Sequence, residues 1–148
     1  MRLTKILVGI LLGALMLGVA GCGGEDGGNT LANFQGRWIG NQRFISIFGI
    51  VADNGTMDVR ISSDGFIFGS FQRFSDGEVT SVQGSVNQGG TMTLQWQFTG
   101  ENVRTAEGEV AADQDFMAPT SVDRTIPVHD AITEIGTLQF DASRVSFD

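Results

Sequence analysis

The chain has 148 residues, with 17 acidic against 9 basic side chains and a net charge of −8. That balance excludes a nucleic-acid binder, since the phosphate backbone is held mainly by lysine and arginine, and it sets the surface against anionic lipid headgroups. A single cysteine excludes an internal disulfide, and the length suits one domain with a modest core.

The first element is an export signal. Arg2 and Lys5 precede an uncharged apolar run over 6–20, too short for a membrane span of about 20 residues. Small residues close it and no basic stop-transfer cluster follows, so it reads as a cleaved secretory peptide. Leu17-Gly18-Val19-Ala20-Gly21-Cys22 resembles the lipobox of bacterial lipoproteins, an aliphatic residue and two small ones before a cysteine. The resemblance implies cleavage of residues 1–21 between Gly21 and Cys22, and a thioether from the Cys22 sulfur to diacylglycerol. It also implies, in many relatives, acylation of the freed amine. Each buried methylene contributes about 0.8 kcal/mol, so two or three chains hold stably where one is marginal. Gly23 after the cysteine resembles the pattern sorted to the outer membrane. The expected location is the bacterial cell envelope, lipid-anchored and facing the periplasm or the cell surface.

Loss of 1–21 removes Arg2 and Lys5, the only lysine, leaving seven arginines against 17 acids, or 7 − 17 = −10. Membrane attachment then has to come from the lipid. Residues 22–33, with Gly23, Gly24, Glu25, Asp26, Gly27 and Gly28, are too polar to bury a core and read as a flexible acidic tether. About a dozen such residues average roughly 20 Å end to end. A single domain is expected over 34–148.

From Phe34 onward the apolar period is two, the period of strands. Asp53-Asn54-Gly55 reads as a turn before a strand carrying Met57, Val59 and Ile61, which Asp64-Gly65 ends. Strands follow over 66–74, 79–86, 91–99 and 103–111. They are separated by Asp76-Gly77, Asn87-Gln88-Gly89-Gly90 and Gly100-Glu101-Asn102, the Asx and glycine chemistry of tight hairpins. In the clearest of them Met92, Leu94, Trp96 and Phe98 share one face and Thr91, Thr93, Gln95 and Gln97 the other. Residues 113–127 hold both prolines and little periodicity, and read as a long loop with one short strand. One or two closing strands are expected over 136–140 and 144–147, with a single turn of helix over 130–135 at most. The fold class is all-β, an antiparallel up-and-down meander of about eight strands.

Phe34-Gln35-Gly36-Arg37-Trp38-Ile39-Gly40 opens the domain, and Gly-x-Trp on a first strand followed by a glycine-punctuated meander resembles lipocalin-like and avidin-like barrels of the calycin type. The resemblance covers about 34–112 and implies a small or partly open barrel. It implies that Trp38 plugs one end with a late-strand arginine across it, for which Arg144 is the candidate. Trp38, Phe68, Trp96 and Phe98 are candidate interior residues, as a dry core or as the lining of an apolar cavity. An avidin-like biotin pocket does not carry over, because the chain has no tyrosine.

No residue set specifies a reaction. His129 beside Asp130 has no nucleophile motif with it, and reads as an exposed loop histidine. One histidine without a free thiol does not build a zinc site. Asp53-Asn54-Gly55 with Asp58, and Asp113-Gln114-Asp115, offer hard oxygens but miss the calcium-loop pattern, and their residues serve turns equally well. The reading is therefore no enzyme, no metal and no cofactor. Two functions are expected: a lipid-anchored structural or protein-interaction module with an envelope protein partner, or a lipocalin-like carrier of a small apolar or amphipathic ligand.

Overall fold

The computed structural model describes residues 30–147. One helical turn, α1 (Leu31–Phe34), precedes β1 (Gly36–Ser46), β2 (Val51–Ile61), β3 (Phe66–Arg73), β4 (Val79–Val86) and β5 (Thr91–Trp96). These are followed by β6 (Arg104–Ala112), β7 (Phe116–Pro119), β8 (Thr125–Asp130) and β9 (Thr133–Ser146). All pairings are antiparallel, and β1 closes on β9 over most of its length, so the sheet is a closed up-and-down barrel. It has eight positions rather than nine. β7 pairs with the Val110–Ala112 end of β6 and β8 with the Arg104–Ala106 end, and both lie against β9. The two are one staggered strand interrupted by residues 120–124.

That interruption corrects the reading of 113–127 as a loop. Met117, Ile126 and Val128 are all buried, but the excursion between them breaks their alternation in sequence. Pro119 ends β7 and Pro127 lies within β8, where the neighbouring ladder carries the pairing. β9 is one continuous strand rather than two, and 131–132 is a tight hairpin turn, with Ala131 at φ 53°, rather than helix.

A second correction concerns Asp53-Asn54-Gly55. These residues lie inside β2, and the chain turns earlier, at Ser46–Gly49, where the Gly49 N–H donates to Ser46 O (2.8 Å) and glycine supplies φ +75°. Gly55 serves close approach instead: a Cβ there would stand 1.7 Å from the backbone oxygen of Gln72 on β3.

The barrel interior is packed with side chains. Trp38, Phe71, Phe98, Met57, Leu94 and Leu138 are among those with 1% or less exposure, and the Phe71 and Trp96 rings meet edge to face with centroids 5.3 Å apart. Strand direction sorts the connections into two ends. α1, the turns at 62–65, 87–90 and 113–115, and the Ser146 end of β9 gather at one end. The turns at 47–50, 74–78, 97–103 and 131–132 gather at the other, called the mouth below.

Candidate functional site

At the end where the chain enters, Trp38 is fully buried and its indole Nε1 donates to Phe34 O of α1 (2.6 Å). Arg144 sits opposite Trp38 in the β1–β9 register, with its guanidinium 4.5 Å over the Trp38 ring and 4.3 Å over Phe147. Its Nη2 donates to Asn33 O and to Asp113 O (3.2 Å). The arginine thus ties α1, the 113–115 turn and the indole into one plug. Burial pushes the guanidinium below its ordinary value, against the pull of Asp115 and Asp113. Leu31–Asn33, placed by sequence at the end of the tether, belong to this plug.

Of the other interior candidates, Trp96 and Phe98 are buried at 3% and 1%. Phe68 is not an interior residue. It is 52% exposed, because Ile67, Phe71 and Arg73 take the inward phase of β3. Gly21 and Cys22 lie outside the described residues.

The mouth is closed by charge. Arg73, at the end of β3, turns inward and stacks 4.3 Å over Phe98. It bonds Asp76 (2.7 Å), Glu78 (2.9 Å), Glu101 (2.6 Å) and, more loosely, Asp53 (3.4 Å). Arg104 of β6 stacks 4.4 Å over Phe44, hydrogen-bonds the other Asp53 oxygen (2.5 Å) and forms an ion pair with the other Glu101 oxygen (2.6 Å). Hydrogen bonds to Asp76 and Glu101 push the Arg73 guanidinium above its ordinary value. Its reciprocal bond holds the Asp76 carboxyl below the usual range, and the Thr99 N–H, donating at 2.7 Å, does the same for Glu78. Each carboxylate of this network is engaged by a guanidinium. The arrangement therefore braces three hairpin ends, β1–β2, β3–β4 and β5–β6, rather than presenting a free base.

Beyond the charged network of the mouth the surface turns apolar. The β1–β2 turn projects Ile47, Phe48, Ile50 and Val51, exposed by 61%, 81%, 65% and 45%, with no charged residue between Ser46 and Ala52. The Ile47 N–H donates to Ile135 O (3.0 Å), which sets this turn beside the β8–β9 hairpin and its 95%-exposed Ile132. These five exposed side chains, on two adjacent turns at the end of the barrel opposite α1, are called the apolar knob below. Sequence reading missed both features: the knob because an apolar turn carries no turn signal, the network because inward charges resemble surface ones.

The remaining candidates are accounted for locally. His129 lies in β8, half-buried, rather than in a loop, and its neighbour Asp130 accepts from Asn102 Nδ2 (2.7 Å). Asp58 pairs with Arg37 (2.6 Å) while Asp53 serves the two mouth arginines, so the first acidic cluster is split across the sheet. Asp113 accepts from the N–H groups of Asp115 (2.9 Å) and Phe116 (2.8 Å), which builds the turn and lowers its carboxyl. Among the described residues no group of three or more His, Cys, Asp or Glu could hold a metal ion, and no helix is long and apolar enough to cross a membrane.

The fold and the two ends define a closed, antiparallel up-and-down β-barrel with a packed interior. No protein-family model, curated protein or solved structure matches the chain.

Proposed function

We propose that this protein is a lipid-anchored lipoprotein of the bacterial cell envelope, whose lipocalin-like barrel is a non-catalytic interaction module. The observation that carries the reading is the apolar knob of Ile47, Phe48, Ile50, Val51 and Ile132 at the mouth. Holding such side chains in water is unfavourable, at about 25 cal/mol per Å² of apolar surface, and exposed apolar clusters of this kind mark contact sites. The interior offers a carried ligand little room, since its inward positions are taken by Trp38, Phe71, Trp96 and Phe98. That favours contact at the barrel's surface over transport within it.

The anchor and the knob fit one geometry. The chain from Cys22 to Thr30 spans 30 − 22 = 8 residues and reaches at most about 28 Å. It joins the barrel at α1, a full strand length from the knob, so an anchored barrel holds its knob out from the lipid surface. A photo-crosslinking residue at Phe48, compared with one at exposed Gln95 on the barrel wall, tests the reading in intact cells. A discrete protein adduct at 48 and none at 95 is expected. Equal or absent labelling at both positions would end the proposal.

A further inference from the structure

A concave site lies on the barrel wall, where nothing in the proposed function requires one. Outward residues of three adjacent strands surround a groove of about 230 Å³: Asn41 and Arg43 of β1, Asn54 of β2, and Gln139 and Asp141 of β9. The register stacks them in two rows, Gln139–Arg43–Asn54 and Asp141–Asn41. Phe74, just past β3, borders the groove with its ring 58% exposed, held beside β2 by its N–H donating to Asn54 O (2.9 Å). Gly55 leaves bare backbone in the wall, and beneath it the Gln42 amide is 3% exposed with its Nε2 unpartnered.

We propose that this groove binds a neutral sugar ring. The size is just under the roughly 300–1,000 Å³ of sites for drug-sized ligands, which suits one ring with its substituents. Strands about 4.8 Å apart, with same-face residues about 6.7 Å apart along each strand, frame polar groups at the scale of a pyranose. Three amides, one guanidinium and one carboxylate offer donors and acceptors together, as hydroxyl groups require. Arg43 and Asp141 make no ion pair with any side chain of the described residues, so both heads are free for a ligand. Their charges cancel, which favours an uncharged ligand over a phosphate or a charged peptide. Phe74 adds an apolar face for the C–H side of the ring.

The test is a titration of the ¹⁵N-labelled full chain, in a sugar-free zwitterionic detergent, with chitotriose, cellotriose and maltotriose at up to tens of millimolar. Saturable shifts at Asn41, Arg43, Asn54, Phe74 and Gln139 are expected with at least one of the three. A response to chitotriose alone would identify an acetamido sugar as the ligand class. Phe74→Ala and Gln139→Ala should each weaken binding by about tenfold, the loss of one good contact, with the melting temperature unchanged because both side chains are outside the core. No saturable shift with any trisaccharide, shifts mapping elsewhere, or binding indifferent to both variants would overturn it.

Discussion

Trp38→Ala is the sharpest perturbation of the fold. The indole is fully buried at the hub of the α1 plug, so its removal both empties space and strands partners. Truncation of a large buried aromatic costs about 3–5 kcal/mol. The Phe34 carbonyl loses its 2.6 Å donor, worth about 1–3 kcal/mol if nothing replaces it. The Arg144 guanidinium loses the ring beneath it, about 0.5–2 kcal/mol. These contributions overlap, and a total of about 5 kcal/mol is expected, against a usual domain stability of about 5–15. For a domain of this size, at about 4 °C per kcal/mol, the melting temperature should fall by roughly 20 °C. Urea unfolding followed by Trp96 fluorescence measures the loss, with Trp38→Phe as the gentler step at about 1–2 kcal/mol. A cycle pairing Trp38→Phe with Arg144→Gln should show coupling of about 0.5–2 kcal/mol. A Trp38→Ala protein within about 1 kcal/mol of the parent, or strict additivity in the cycle, would refute the plug.

Three further outcomes are expected. Gly55→Ala places a methyl 1.7 Å from Gln72 O, so β2 and β3 must part locally; a melting-temperature loss several times that of Gly89→Ala, where the nearest atom is the Asn87 side-chain oxygen at 3.4 Å, is the readout. Asp76, Glu78 and Asp113 all titrate below their ordinary values of 3.8, 4.5 and 3.8. A depressed folded value gives stability that is full above the ordinary one and lost as pH falls through the folded one, so unfolding free energy should be flat down to about pH 5 and decline below about pH 4. Asp76→Asn should shallow that decline. Ile47→Ser with Ile50→Ser should leave the melting temperature within about 2 °C of the parent, because both side chains are exposed, while abolishing the adduct formed by the photo-crosslinking residue at 48.

The regular part of the barrel was legible in sequence because one physical signal dominates it. On β5, Met92, Leu94 and Trp96 are buried and Gln95 is exposed, as period-two alternation requires. Arg144 over Trp38 was legible only through resemblance, since no local pattern links residues so far apart in the chain. Reading failed where a side chain broke the rule that charge faces water. On β3, Phe66, Ile67 and Phe68 are all apolar, and placing Arg73 outside puts Phe68 inside; the structure sends Arg73 inward to Phe98 and four carboxylates, and Phe68 outward. On β2, Asp53-Asn54-Gly55 has the chemistry of a hairpin turn, yet Asp53 is held inside by two arginines and the turn is made by apolar Ile47 and Phe48. The interrupted β7–β8 position escaped because residues 120–124 shift the alternation partway along. The mouth and its knob arise where local pattern and final structure disagree, which is common where a protein meets something else.

In the proposed arrangement Cys22 holds this barrel at a lipid surface with its knob presented outward. Intact-mass spectrometry of the protein extracted from the membranes of the expressing bacterium tests it most directly. The expected species begins at Cys22 and carries the added mass of a diacylglycerol thioether, with one further acyl group where the amine is modified. A chain starting at any other residue, or a Cys22 sulfur that alkylates as a free thiol, would contradict it.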